Sequence, residues 1–241
     1  MDFDRQSPKL IHFFGPDGSG KSTQVELLLD FLQKRGVRVK KCWVRSPHTI
    51  AFVLWRMFVK IGFYRVVQNP FGIEIKLPAV NRSRALRCFW STMELLGVLP
   101  LVFRVHFSIL TGYRLVAERY ILDTVTTIAY FINDINFLKS PISRLLFLLI
   151  PKSTVFVFLD SDYETIYNRR APLFGAENCG TRLKRGYGSL PSASVEPRDF
   201  IEFQRTAYKT LAKSFDALVI NTSYYSIEET FVAVLKYLEL R

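Results

Sequence analysis

A chain of 241 residues that is 49% hydrophobic and 22% charged is long enough to bury one α/β core without disulfides or metal staples, and too apolar for intrinsic disorder. Its net charge of +12 draws anionic partners, whether nucleotides, acidic membranes or nucleic acid, and charge alone does not choose among them. Cys42, Cys88 and Cys179 lie far apart with no CxxC spacing. That argues against a zinc site and a disulfide framework, and reduced thiols in a cytoplasmic protein are expected.

Residues 1–9 are polar and charged, with no apolar stretch of the secretory kind. Residues 9–14 are an apolar run ending at Gly15; a glycine-rich turn follows, then Val25, Leu28, Leu29 and Leu32 at helical spacing, so the order reads strand, loop, helix. Gly36 stands where a helix-terminating glycine belongs, and residues 37–44 resume an extended pattern that predicts a second parallel strand.

Residues 46–110 read as a helical insertion that could form an acceptor subdomain. Within it, residues 50–67 place Arg56, Lys60 and Arg65 near one helical face among Phe52, Trp55, Met57, Phe58, Ile61 and Phe63. An interfacial amphipathic helix has this pattern, and so does a helix packed on a sheet or in a homodimer interface; burial is expected over peripheral membrane contact. Residues 95–110 are the most apolar stretch, shorter than the roughly 20 residues a membrane span needs and broken by Pro100, Arg104 and His106.

Further strands are predicted at 113–117, 154–159 and 217–221, for five parallel strands in all, with capping boxes at Ser161/Glu164 and Ser226/Glu229 opening the helices after the fourth and fifth strands. Residues 172–197 carry four glycines and three prolines with little periodicity, the composition of a functional loop, and are read as a lid.

Gly15-Pro16-Asp17-Gly18-Ser19-Gly20-Lys21-Ser22 satisfies G-x-x-x-x-G-K-[ST] between the first strand and first helix. Glycines at this spacing let successive backbone N–H groups close around phosphates at a helix N-terminus, while the lysine reaches the β/γ oxygens and the serine binds Mg²⁺. ATP and Mg²⁺ are the expected cofactors. The expected fold is α/β of the P-loop NTPase type: a doubly wound, five-stranded parallel sheet with helices on both faces, in one domain spanning residues 1–241.

With Asp17 before Gly18 and Thr23 after Ser22, this loop resembles that of the thymidylate kinases, which implies that Asp17 contacts the acceptor sugar. Arg45-Ser46-Pro47 resembles the family's Arg-Glu-Pro motif, with Ser46 in place of glutamate, and implies that Arg45 holds the acceptor phosphate. Glu118-Arg119-Tyr120 resembles its Asp-Arg-Tyr/His motif and implies a second phosphate grip by Arg119; Ala129-Tyr130 matches the helix closing the acceptor pocket. The family's metal-assisting aspartate is replaced by Glu118, which leaves that role to Glu118 or to Asp123.

Leu159-Asp160 through Arg169 resembles the strand and helix leading to the lid, where Arg169 would border ATP. Members of the family carry a catalytic arginine in the phosphate loop or the lid; Ser19 leaves the loop without one, which points to Arg182 and Arg185. The insertion matches poorly, with no Ala-Asp-Arg stretch to support thymine specificity. Phe89 or Trp90 could stack on a base, with Arg87 or Arg104 at its edge, although aromatics at helical spacing are more often core.

The resemblance implies transfer of the ATP γ-phosphoryl group to a nucleoside monophosphate, with dTMP the first candidate. Two alternatives remain: a non-nucleotide small-molecule acceptor on the same loop, or a nucleotide-dependent membrane-surface or interaction protein. Nucleic acid is not an expected partner, because the basic residues are assigned to phosphate handling and no nucleic-acid module is present.

Overall fold

The computed structural model describes residues 8–44, 49–70, 72–178 and 196–239. Five strands, β1 (Leu10–Phe14), β2 (Val39–Trp43), β5 (Arg114–Arg119), β6 (Thr154–Asp160) and β7 (Leu218–Asn221), form one sheet in the order β2-β5-β1-β6-β7. Every neighbouring pair in it is parallel. This is the doubly wound sheet that the sequence predicts, and both faces of the central strand are buried, as its apolar residues on both sides of His12 require.

Alternation along β1 divides the core. Ile11 and Phe13 enter a layer with Val25, Leu28 and Leu32 of α1 (Lys21–Lys34) and Val234 and Leu238 of α8 (Ile227–Glu239). Leu10 and Phe14 enter the opposite layer, with residues of α3 (Arg84–Leu110), α4 (Ile121–Phe131) and α7 (Arg198–Ser214). Gly36 closes α1 at φ +75°, where its N–H bonds Gln33 O at 2.9 Å and the Val37 N–H bonds Leu32 O at 3.0 Å. That paired arrangement needs a left-handed residue, which glycine supplies without a Cβ clash.

The Ser226/Glu229 capping box forms as expected: Glu229 N–H donates to Ser226 Oγ at 3.1 Å and Ser226 N–H to Glu229 Oε2 at 2.8 Å. The other cap lies one residue later than predicted. Asp162 Oδ1 accepts from Thr165 N–H at 2.8 Å at the start of α6 (Tyr163–Asn178), and the Ser161 hydroxyl turns to Ser223 at 3.2 Å. A carboxylate is a stronger acceptor for an orphan amide than a hydroxyl, and Ser161 has another partner.

The insertion is not purely helical. After α2 (Thr49–Lys60), β3 (Tyr64–Gln68) and β4 (Glu74–Pro78) pair as an antiparallel hairpin. Its turn is anchored by Asn69, whose Oδ1 accepts from Ile73 N–H at 2.8 Å, and by Gly72 at φ +73°. Residues 64–68, Tyr-Arg-Val-Val-Gln, do not alternate strictly, and five residues this close to an apolar helix carry too little signal to mark a strand. Arg65 turns inward, Nη2 donating to Tyr130 O at 3.2 Å.

Helix α3 runs for 27 residues, longer than the segment expected, and by length and composition it could cross a membrane, with a best-window mean hydropathy of 1.6. Its inner face, Trp90, Val98, Val102 and Val105, belongs to the core. Trp90 is wholly buried between Phe58 and Phe131, at ring-centroid distances of 6.3 and 5.9 Å. Helix α2 buries Ala51 and Phe58 and leaves Ile50, Val53 and Met57 exposed beside Arg56 and Lys60, so burial holds for one of its faces. Of the expected lid, the part up to Asn178 continues α6, and residues 179–195 lie outside the described residues.

The Asp162 carboxyl is held down at about 2 by its hydrogen bond with Ser223, against a burial cost, with the Thr165 contacts adding to the effect. A depressed folded value means that the unfolded chain binds more protons at low pH. The contribution of Asp162 to stability is therefore complete above its ordinary value of 3.8 and is lost as pH falls through about 2. In Asp162→Asn, which keeps a cap acceptor, the melting temperature should depend less steeply on pH over that acid limb.

Candidate active site

A cavity of about 450 Å³ opens at the C-terminal ends of β1 and β5 against the N-terminus of α1, where open parallel sheets bind ligands. Its floor is the loop from Gly15 to Ser22. Gly15, Gly18 and Gly20 have φ of +149°, +93° and +88°. A Cβ at Gly15 would lie 2.1 Å from Leu159 O, and one at Gly18 would lie 2.9 Å from Ile166 Cγ2. Only glycine lets the backbone wrap this tightly beneath β6 and α6.

Lys21 is 4% exposed, and its ammonium donates to Gly15 O and Pro16 O, each at 2.7 Å. The ammonium thus lies over the loop that its own backbone helps to form. Ser19 Oγ is buried and has no hydrogen-bond partner among the described residues. Ser22 and Thr23 are exposed and line the opening.

Asp17 joins the two cations of the site. Its carboxylate contacts the Arg119 guanidinium directly and lies 3.7 Å from Lys21 Nζ; all three side chains are buried. Behind Arg119 is Asp123, 3.8 Å from its Nη1. Asp123 Oδ1 accepts from the Tyr208 hydroxyl at 3.0 Å, and Oδ2 accepts from Tyr120 N–H at 3.3 Å and lies 3.2 Å from His12 Nε2. Burial pushes the Asp123 carboxyl up, but the His12 hydrogen bond and the Arg119 charge outweigh it and hold the group below the usual carboxylate value. Asp123 is 2% exposed and does not line the cleft.

Glu118 does line the cleft, and it bonds the Ser22 hydroxyl. The β2–β5 register passes from Cys42↔Ala117 to Trp43↔Arg119, so Glu118 is the extra residue of a bulge. Bulges beside sites re-aim side chains in this way. Ser22 and Glu118 present only oxygen donors, and no cluster of three or more His, Cys, Asp or Glu suited to a metal occurs among the described residues. A hard cation that takes one or two protein oxygens and fills its shell with phosphates and water suits this pair, and Mg²⁺ is such an ion.

A wall beside the loop is built from α6 and the segment after β7, where Thr222 Oγ1 donates to Ser19 O at 3.1 Å. Arg169 donates to Thr222 O at 2.5 Å and Thr222 Oγ1 at 3.2 Å, and it lines the cavity with Arg170, Tyr225, Ile227 and Thr230. Sequence reasoning found Arg169, with Arg170 beside it in the same basic stretch, and missed Thr222, Tyr225, Ile227, Thr230 and Trp43. The available signal was position, since Trp43 ends β2 and Thr222 follows β7, both at the ligand-binding edge.

Tyr130 is not brought to the cleft: its hydroxyl donates to Asp199 at 2.9 Å, and its ring packs 4.5 Å from that of Phe200. Arg45, Arg182 and Arg185 lie outside the described residues. The glycine geometry yields a direct expectation. Gly15→Ala should abolish nucleotide binding in a fluorescence titration, and should lower the melting temperature, because the new methyl meets a backbone carbonyl that cannot move aside.

The chain matches no protein-family model. Among solved structures it is similar to the thymidylate kinase of Candida albicans, described as a structure that reveals the origin of broad substrate specificity and a novel structural element. The TM-score is 0.57 at 15% identity, over 97% of this chain and 92% of that one. It is also similar to the thymidylate kinase of Ehrlichia chaffeensis, with a TM-score of 0.50 at 20% identity over 95% and 97% of the two chains. The sheet order, the flanking helices and the extent of these matches give this chain the P-loop fold of the thymidylate kinases.

Proposed function

We propose that the chain is a divergent relative of the thymidylate kinases that transfers the γ-phosphoryl group of ATP to a nucleoside monophosphate, with dTMP the first acceptor to test. The observation that carries this reading is the convergence of Lys21 and Arg119 on Asp17 at the rim of a glycine-wrapped loop. One cation belongs to the loop that would hold the triphosphate, and the other to the strand across the cleft. A site for one polyphosphate alone needs no second buried cation beside the loop lysine.

In this reading the amides of residues 15–22 and the Lys21 ammonium bind the donor phosphates, while Arg119 grips the acceptor phosphate and aligns it with the donor. Mg²⁺, held by Ser22 and Glu118, would offset phosphate charge during transfer. Asp17 keeps both cations in place and offers a carboxylate to the acceptor sugar. Arg169 borders the nucleoside end of ATP. Arg45 as a further acceptor-phosphate grip, and Arg182 and Arg185 as the arginines that neutralise the transferring group, complete the proposal on their sequence motifs. Residues 1–241 would then act as one kinase domain in nucleotide biosynthesis in the cytoplasm, with 46–110 as acceptor subdomain and 172–197 as lid.

A second reading keeps the loop and changes the acceptor to a non-nucleotide small molecule. It is favoured by one observation: Trp90, a candidate to stack on a base, and Tyr130, on the helix expected to close the acceptor pocket, are both committed to packing.

One experiment separates the readings. Incubation with ATP, Mg²⁺ and a panel of monophosphates should yield a diphosphate, detected by chromatography, and Lys21→Ala should slow it on the order of 10³-fold. ATP binding without any diphosphate product would reject nucleotide acceptors and leave the second reading standing.

A further inference from the structure

Glu118 is held from two sides. One carboxylate oxygen, Oε1, bonds the Ser22 hydroxyl; the other, Oε2, lies 2.9 Å from Lys41 Nζ. The same ammonium lies 2.7 Å from Glu26 Oε1 on α1. Lys41 is on β2, the edge strand, paired with Val116 of β5, two residues before Glu118. The chain thus spans from the outer face of α1 through an edge-strand lysine to the mouth of the cleft.

We propose that Lys41 is a positioning residue, which holds the bulged Glu118 carboxylate in the orientation that serves Mg²⁺-dependent nucleotide binding. This inference rests on the reading of Ser22 and Glu118 as the metal-side pair.

Three features support it. A glutamate carries one more rotatable bond than an aspartate, so without an anchor its carboxylate loses more freedom when it is fixed. The bulge removes Glu118 from the regular ladder and leaves its direction to side-chain contacts. Glu118 is 14% exposed and Lys41 is 36% exposed, so the contact is partly withdrawn from water and more than a solvent-screened surface pair.

The sign of the effect has to be argued, because a bare ammonium beside a metal-side carboxylate would weaken cation binding by offsetting its charge. Here Glu26 balances the ammonium at 2.7 Å. What remains at Glu118 is mainly a fixed direction. Partners that orient a metal-side carboxylate typically change metal affinity by about 10–100-fold when removed.

The test is a fluorescence titration with a labelled ATP analogue, in EDTA and at saturating Mg²⁺, on the full chain. The ratio of the two dissociation constants reads the metal contribution without requiring turnover. In Lys41→Met the tightening by Mg²⁺ should shrink about tenfold with binding in EDTA unchanged, and Lys41→Arg should retain most of it. Glu118→Gln should lose it as well, and the double variant should lose no more than Glu118→Gln alone, because the lysine acts through that carboxylate.

If Lys41→Met keeps the wild-type ratio or binds Mg²⁺-nucleotide more tightly while Glu118→Gln loses the effect, the role of Lys41 is overturned and the metal-side reading survives. If Glu118→Gln also keeps the wild-type ratio, the metal-side reading falls and the inference falls with it. Equal losses for Lys41→Arg and Lys41→Met, with binding in EDTA weakened too, would mark a structural effect on β2 and likewise overturn the proposal.

Discussion

Two cations buried side by side repel each other, and the site holds Lys21 and Arg119 together through the single carboxylate that both approach, Asp17. Buried charge is tolerated only when it is paired and hydrogen-bonded, so each ion in this group needs further partners. Lys21 finds them in the carbonyls of Gly15 and Pro16, and Arg119 has Asp123 behind it. The glycines at positive φ are what bring those carbonyls and the Asp17 side chain within reach. The charges at this loop are in this way satisfied by the protein's own groups.

The requirement propagates into the core. Asp123 is buried, and three elements contribute to its surroundings: His12 from the central strand, Tyr208 from α7 and the Tyr120 amide at the start of α4. Placing a histidine in the middle of β1, between Leu10 and Phe14 on the same face, interrupts an apolar layer. A nearly complete polar network in such a place specifies one arrangement of the elements that carry it. The strand, α4 and α7 are therefore tied to the position of Arg119, and packing in that layer and geometry in the cleft are one problem.

The insertion follows a different logic. Helices α2 and α3 each bury one apolar face against the domain and expose another, with Phe103, Phe107 and Leu110 on α3 and Ile50, Val53 and Met57 on α2 open to solvent. Periodicity alone describes such helices as apolar and leaves open which face turns inward. The ring contacts of Trp90 and Phe58 decide that here, because two large aromatics at one crossing fill the space between the helices.

The phosphate loop, the five parallel strands, the termination of α1 at Gly36 and the capping box at Ser226 were legible from the sequence, because each depends on local chemistry: glycine at positive φ, alternation of apolar residues, a hydroxyl three residues from a carboxylate. The hairpin 64–78 was hidden because its first strand, Tyr-Arg-Val-Val-Gln, is short, does not alternate strictly and lies close to an apolar helix. The withdrawal of Tyr130 from the cleft and the choice of Glu118 over Asp123 at its rim were also beyond the sequence. They depend on residues 69 and 111 positions away, Asp199 and His12, and on a bulge in β5 that only pairing with β2 reveals. Local spacing determined which glycines and charged groups stand between β1 and α1; long-range packing decided where each side chain points, because its direction is set by the neighbours that the fold brings to it.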